Sequence, residues 1–311
     1  MHPEIQFEDQ TLRDGLQGET RLFTMDEKQR IIALLAAAGF KHIQVGAFVH
    51  PRRVPQMADT DELVRSLEPR PEVAFSGLVL NARGLERAMA CGLTDVALSA
   101  SVSDSHSRRN TNQSAETAIT AMAALIRKAL AVGLRVQGGL QCVFGCVYEG
   151  AVDADRVVAA AEQMAASGAM AISLADTTGM AQPRQVEALC GRIQRALPAV
   201  ELTLHLHDTR GLGLANMLAG YDAGVRRFDV CAGGLGGCPF VRGAAGNVPA
   251  EDAVQAFEAM GVRTGIDLAG LVKVVDYLEG KLERRLPGRM AGVLRAARGQ
   301  LGGNQKDATD G

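Results

Sequence analysis

The sequence predicts an α/β protein built as a (β/α)8 TIM barrel with extra C-terminal helices, and three observations carry that prediction. Short β-rich apolar runs alternate along the chain with longer helical runs. Eight such pairs fit into about 260 of the 311 residues, which suits a closed barrel better than an open doubly wound sheet. The polar residues able to do chemistry fall where strands end, the face on which such barrels carry their sites.

Taken in order, IQFE (5–8) reads as the first strand. A helix over 26–38 follows, opened by Thr24 with Glu27 three residues on, a capping box, and closed by Gly39. HIQVG (42–46), a helix near 57–68, VAFSGLV (73–79), a helix near 82–91 and DVALSA (95–100) continue the alternation. SVSDSHSRRNTNQ reads as a polar loop, and a helix over 115–131 closed by Gly133 comes after it. LRVQGGLQC (134–142), a helix near 153–167, MAISLA (170–175) and a helix near 183–196 make the fifth and sixth units. VELTLHLH (200–207), a helix near 212–223, RRFDVC (226–231) and a helix near 250–260 complete the series. Residues 263–296 read as further helices packed on the barrel, and no linker separates a second domain. Residues 1–296 are therefore expected to form a single catalytic domain, with 297–311, polar and glycine-containing, as a disordered tail.

Composition excludes several function classes. With 47% hydrophobic residues the chain can bury a large core, while a net charge of −2, no tryptophan and three tyrosines argue against a nucleic-acid binder. No apolar run reaches membrane-spanning length, and MHPEIQFEDQ lacks the pattern of a signal peptide, so a cytoplasmic protein is expected. Six cysteines without CxxC pairs fit a reducing compartment. Cys142 and Cys146 are read as buried thiols rather than metal ligands, since no second pair accompanies them.

The densest chemistry lies between residues 202 and 252. In a strand, side chains repeat every two residues, so His205 and His207 share a face one pleat apart, and two imidazoles so spaced can hold one metal ion. Hydrogen-bonded core histidines are the alternative, weakened by Asp208 next door and Asn247 beyond the next strand. Asp14 after the first strand, with His205, His207 and the amide oxygen of Asn247, makes a mixed oxygen and nitrogen set suited to Mg²⁺ or Mn²⁺. Arg13 and Asp14 would be a surface ion pair if TLRDGLQ were only a turn. Gln44 lies on the second strand and Asp176 follows the sixth, and Cys238 follows four glycines in GGLGGCPF, a loop free to carry a thiol over a substrate. A phosphate cradle would need a helix directly after those glycines, and Pro239 intervenes. His106, Arg108, Arg109, Asn110 and Asn112 form either a binding loop for a polyanionic substrate or a solvated charge run.

With these residues named, the chain resembles the 3-hydroxy-3-methylglutaryl-CoA lyase family of metal-dependent barrels. TLRDGLQGE is similar to that family's RDGLQ-NE segment, FVHPRRVPQMAD to FVSPKWVPQM, ISLADTTG to ISLGDT, HLHDTRGLGLAN to HCHDT, and GGLGGCPF with GAAGNVPAED to its cysteine-loop signature. The resemblance implies Asp14, His205, His207 and Asn247 as ligands of Mg²⁺ or Mn²⁺, Arg13 beside the thioester oxygen, and Cys238 as the thiol handling a proton at the departing acetyl carbon. It implies that Asp176, with His205, removes the proton from the tertiary hydroxyl. Arg13, Gln17, Gln44, Asn110 and Thr177 are assigned to an acyl-CoA thioester substrate, and a homo-oligomer, dimer or higher, is expected. The implied reaction is a retro-Claisen cleavage of 3-hydroxy-3-methylglutaryl-CoA to acetyl-CoA and acetoacetate. Condensing synthases share the TLRDG start and the HxH strand but usually lack the GGLGGCP loop. Two departures stand out: Gln44 where the lyases have glutamate, and Thr20 where they have lysine. Gln44 predicts weak cleavage of 3-hydroxy-3-methylglutaryl-CoA and a preference for a neighbour such as citramalyl-CoA. A metal-binding barrel without turnover is the reading from another class, and the intact set of site residues speaks against it.

Overall fold

Alternation of apolar and polar residues resolves into eight strands that close on themselves. The computed structural model describes residues 4–237 and 245–304. Its elements run β1 (Gln6–Asp9), α1 (Met25–Ala37), β2 (His42–Ala47), α2 (Thr60–Arg65), β3 (Ala74–Val79), α3 (Ala82–Ala90) and β4 (Asp95–Ser101). They continue with α4 (Asp104–Thr111), α5 (Ala115–Ala131), β5 (Arg135–Gln141), α6 (Ala154–Ala166), β6 (Ala171–Ala175) and α7 (Pro183–Ala196). β7 (Glu201–His205), α8 (Gly213–Asp222), β8 (Arg227–Val230), α9 (Ala250–Ala259), α10 (Leu268–Leu282) and α11 (Arg289–Asn304) complete the described chain. All neighbouring strands are parallel, and β1 pairs with β8, Phe7 opposite Phe228, to shut the (β/α)8 barrel.

Local chemistry sets the helix ends. Thr24 and Glu27 form the expected capping box on α1, which satisfies two amides that the helix leaves bare. The main core lies between strands and helices, where Ile43, Val45, Leu98, Ile172, Leu204 and Phe228 are buried. Inside the barrel the filling is polar rather than the usual branched aliphatics: Gln137 donates to Thr203 Oγ1 at 3.1 Å, and Glu8 pairs with Arg227. Burial, then Asp229, raises the Glu8 pKa to about 7 against the pull of Arg227.

Four segments differ from the expectation. TLRDG is neither strand nor plain turn but a single π-helical turn over Thr11–Gly15, with the Gly15 amide reaching back to the Gln10 carbonyl at 3.0 Å. The polar stretch after β4 is largely the helix α4, not a loop. It has no apolar period to reveal it, and it forms because Ser103 caps its start, Asp104 pairs with Arg108 one turn on, and Asn112 ends it at φ 59°. β7 stops at His205, and residues 206–208 leave the barrel to pair with 246–248 instead. Finally, α11 runs on to Asn304, past the boundary at 296 drawn for a disordered tail, and residues 305–311 lie outside the described residues. Its start is anchored by Arg289 and Met290 amides donating to the Asp252 carboxylate at 2.9 and 2.8 Å.

Candidate active site

A cavity of about 280 Å³ opens at the C-terminal ends of the strands, and Arg13, Asp14, Gln17, Gln44, Asn110, Thr177, His205 and His207 all line it. The π-helical turn delivers the first two. Its extra residue per turn turns Arg13 toward β2, where Nε donates to Gln44 Oε1 at 2.6 Å and Nη2 donates to Gln10 Oε1 at 3.1 Å. Nη1 also pairs with the Asp14 carboxylate, so the guanidinium is held on three sides. The turn itself is tied down from below: Asp9 accepts from the Thr11 amide and hydroxyl, and Thr11 Oγ1 accepts from the Ala232 amide at 2.9 Å. Burial pushes the Asp9 pKa up to about 7, with the Thr11 bonds acting against it.

Across the mouth, His205 and His207 meet Asp14. The two Nε2 atoms are 3.2 Å apart, and Asp14 Oδ2 lies 3.7 Å from His205 Nε2 and 3.4 Å from His207 Nε2. Burial works to raise Asp14, but Arg13 and the two imidazoles hold its carboxyl well below the usual range. His205 is oriented by a residue the sequence reading did not single out: its Nδ1–H donates to Asp229 Oδ2 at 2.9 Å, which leaves the Nε2 lone pair facing the cluster. The signal was present, since Asp229 is a carboxylate between the outward Phe228 and Val230 of a buried strand.

Three atoms this close, each able to donate a lone pair, need a proton or a metal ion among them. Ligands bound at about 2.1 Å around one ion sit roughly 3 to 3.5 Å apart, and the three separations here, 3.2, 3.4 and 3.7 Å, come near it. Among the described residues, Asp14, His205 and His207 are the group of acidic, histidine and cysteine side chains placed to share a metal ion. Cys142 and Cys146 are buried elsewhere, Cys146 Sγ accepting from Ser103 Oγ at 3.0 Å. The set of carboxylate and imidazoles fits a hard or borderline divalent cation. Asn247 reaches the same cluster through its antiparallel bridge to His207. It points its amide nitrogen at Asp14 Oδ2, 2.8 Å away, and its Oδ1 is buried with no hydrogen-bond partner, so turning the amide over would present that oxygen to the cluster.

Asp176 is placed differently from the expectation. It does not line the cavity, although its neighbours Ala175 and Thr177 do. Oδ1 accepts from the Met180 and Ala181 amides at 2.7 and 3.1 Å, and Oδ2 is buried without a partner. Burial raises its pKa against the opposing pull of His207 and those amides. Thr177 Oγ1 accepts from the Cys142 amide at 2.9 Å. Cys238 lies outside the described residues, but Gly237 lines the cavity and so brings the chain to its edge. The glycines before it serve close approach rather than freedom alone. At Gly236, φ is +111°, and a Cβ would stand 2.6 Å from Asn247 Nδ2.

Comparison with known proteins agrees with this geometry. A family model described as HMGL-like matches residues 4–278. The chain is 41% identical to (R)-citramalyl-CoA lyase of Chloroflexus aurantiacus, over 88% of this chain and 90% of that protein. It is 38% identical to hydroxymethylglutaryl-CoA lyase of Pseudomonas mevalonii, over 92% and 95% of the two chains. Among solved structures, the Bacillus subtilis HMG-CoA lyase superposes with a TM-score of 0.91 at 33% identity, covering 94% of this chain and 99% of that one. An Acinetobacter baumannii HMG-CoA lyase in complex with coenzyme A and 3-methylmalate gives 0.87 at 34% identity, covering 93% and 94%. On the closed barrel, the Asp14, His205 and His207 cluster and these matches, the chain belongs to the HMGL-like family and is a carbon–carbon lyase.

Proposed function

We propose that the chain cleaves the C2–C3 bond of a 3-hydroxyacyl-CoA, and that 3-hydroxy-3-methylglutaryl-CoA, giving acetyl-CoA and acetoacetate, is its substrate. The observation that carries the reading is the convergence of Asp14, His205 and His207 on one point of the cavity with the Arg13 guanidinium beside them. A divalent cation, Mg²⁺ or Mn²⁺, held by these three residues and the Asn247 amide oxygen, supplies the Lewis acidity that lowers the pKa of the tertiary hydroxyl.

The protein's own groups do the rest. With Nε2 turned to the cluster and Nδ1 bonded to Asp229, His205 has no nitrogen left for the hydroxyl proton, so its part is to orient. Asp176, between the lining residues Ala175 and Thr177, has one of the buried carboxylate oxygens without a partner, Oδ2, and is the base that this reading assigns to that proton. As the C3–O⁻ electrons form the carbonyl, the C2–C3 pair moves into the enolate of acetyl-CoA. Arg13, fixed by Gln10, Gln44 and Asp14, presents its charge where that oxygen turns negative. Cys238, which follows Gly237 at the cavity edge, supplies the proton to the acetyl carbon, a role resting on the family resemblance.

A second reading, cleavage of (R)-citramalyl-CoA to acetyl-CoA and pyruvate, is favoured by Gln44 and by the 41% identical relative. Both need the same machinery and differ in acyl length. Release of acetyl-CoA from each thioester by the purified chain with Mg²⁺, followed as kcat/KM, tests the reading, which fails if neither is cleaved. In this reading the barrel and its C-terminal helices act as one catalytic domain within a cytoplasmic homo-oligomer, and a solution mass of a single chain would remove that last element.

A further inference from the structure

Across the mouth from the metal ligands stands α4. With the strands in closed order, β4 is diametrically opposite β8, while the ligands come from the ends of β1 and β7 and from the segment after β8. α4 follows β4 directly and therefore overhangs the far side of the cavity. It presents His106 and, one turn on along the same face, Asn110, and both line the wall. Resting on the function proposed above, we infer that His106 is a specificity-determining residue that reads the polar end of the substrate's acyl chain.

Three observations support the assignment. His106 is 1% exposed and borders the cavity, so it is part of that wall and not of the outer surface. Its helix is held firmly: the Ser103 hydroxyl accepts from the His106 amide at 3.1 Å, Asp104 Oδ1 accepts from the Ala115 amide at 3.0 Å, and the Arg109 guanidinium lies 3.9 Å over the Tyr148 ring. The charge inventory is the third. Arg13 is the one lysine or arginine among the described residues that line the cavity, and Asp14, Gln44 and Gln10 already occupy it. On the α4 side of the cavity the described residues that a carboxylate at the far end of the acyl chain meets, His106 and Asn110, are neutral donors. Burial pushes the His106 pKa down to about 4 against the pull of Glu149, so the imidazole is neutral at pH 7 and offers an N–H, not a charge.

Of the two candidate substrates, 3-hydroxy-3-methylglutaryl-CoA carries its carboxylate one methylene farther from the carbinol carbon, and so farther from the ligand cluster. That longer acyl chain is the one His106 reads. The test measures kcat and KM for 3-hydroxy-3-methylglutaryl-CoA and citramalyl-CoA in the wild type, His106→Leu and His106→Gln, with Mn²⁺ affinity measured on the same proteins without substrate. His106→Leu should lower kcat/KM for the longer substrate by about 10- to 100-fold relative to the shorter, chiefly through KM, while Mn²⁺ affinity stays unchanged. His106→Gln, which keeps an N–H donor, should recover most of the loss. If the leucine variant does not fold, His106→Asn, too short to reach the acyl end, should show the same shift. Equal losses on both thioesters, or an unmoved ratio, overturn the assignment and leave the function standing. Failure of the wild type to cleave either removes both.

Discussion

Gln44 shows how one neutral side chain can keep a geometry while changing its charge. Its Oε1 accepts from Arg13 Nε at 2.6 Å, so the amide aims the guanidinium as a carboxylate would but adds no negative charge to that of Asp14. Gln44→Glu should raise kcat/KM for 3-hydroxy-3-methylglutaryl-CoA relative to citramalyl-CoA by about tenfold, and an unmoved ratio would make position 44 a spacer only. Asp229 acts through His205: Asp229→Asn should weaken Mn²⁺ binding by about 10- to 100-fold, read by metal titration, because the imidazole loses the acceptor that fixes its tautomer. Asp176→Asn separates two roles of that side chain. The amide can still accept from Met180 and Ala181 but cannot take a proton, so kcat should fall about 10²–10⁴-fold with metal affinity retained. Full activity would confine Asp176 to holding the turn.

At the scale of elements, legibility followed periodicity. The strands and long amphipathic helices announce themselves through burial every second or every third and fourth residue, and α5 and α7 run over the residues expected of them. Segments held by polar contacts do not. α4 has a single-turn ion pair and caps in place of an apolar stripe, and the π-helical turn depends on Asp9 and Thr11, whose meaning emerges only when Ala232, far along the chain, donates to Thr11. Likewise His205 and His207 read as one strand, yet the ladder ends between them, and the pairing of 206–208 with 246–248 is what brings Asn247 to the cluster. The glycine-rich segment after β8 carries a prediction of its own. The five cysteines among the described residues are all buried, so Cys238 should be the thiol that reagents modify first, with substrate protecting it. Cys238→Ala should cost about 10²–10⁴-fold in rate with little change in metal affinity, and unchanged kinetics would reduce the thiol to loop packing.

For the whole molecule, eight parallel strands gather residues separated by more than two hundred positions onto one mouth, Asp14 meeting Asn247 at 2.8 Å. The site was readable as a list of residue types at strand ends, because the barrel sends every strand's C-terminal end to the same face. Its three-dimensional logic was not, since Asp229 behind His205, Gln10 behind Arg13 and the placement of Asp176 outside the cavity depend on which neighbours the closed sheet supplies. No helix among the described residues is long and apolar enough to cross a membrane. The central claim is that Asp14, His205 and His207 hold the divalent cation on which carbon–carbon cleavage depends. The measurement that tests it most directly is Mn²⁺ titration of the chelator-stripped chain, with acetyl-CoA release followed on the same samples, for the wild type and His207→Ala. The account predicts that activity rises with occupancy of a single Mn²⁺ site per chain, and that His207→Ala binds no Mn²⁺ at that site while melting as the wild type does. Full cleavage in excess chelator, or undiminished Mn²⁺ binding by His207→Ala, would contradict it.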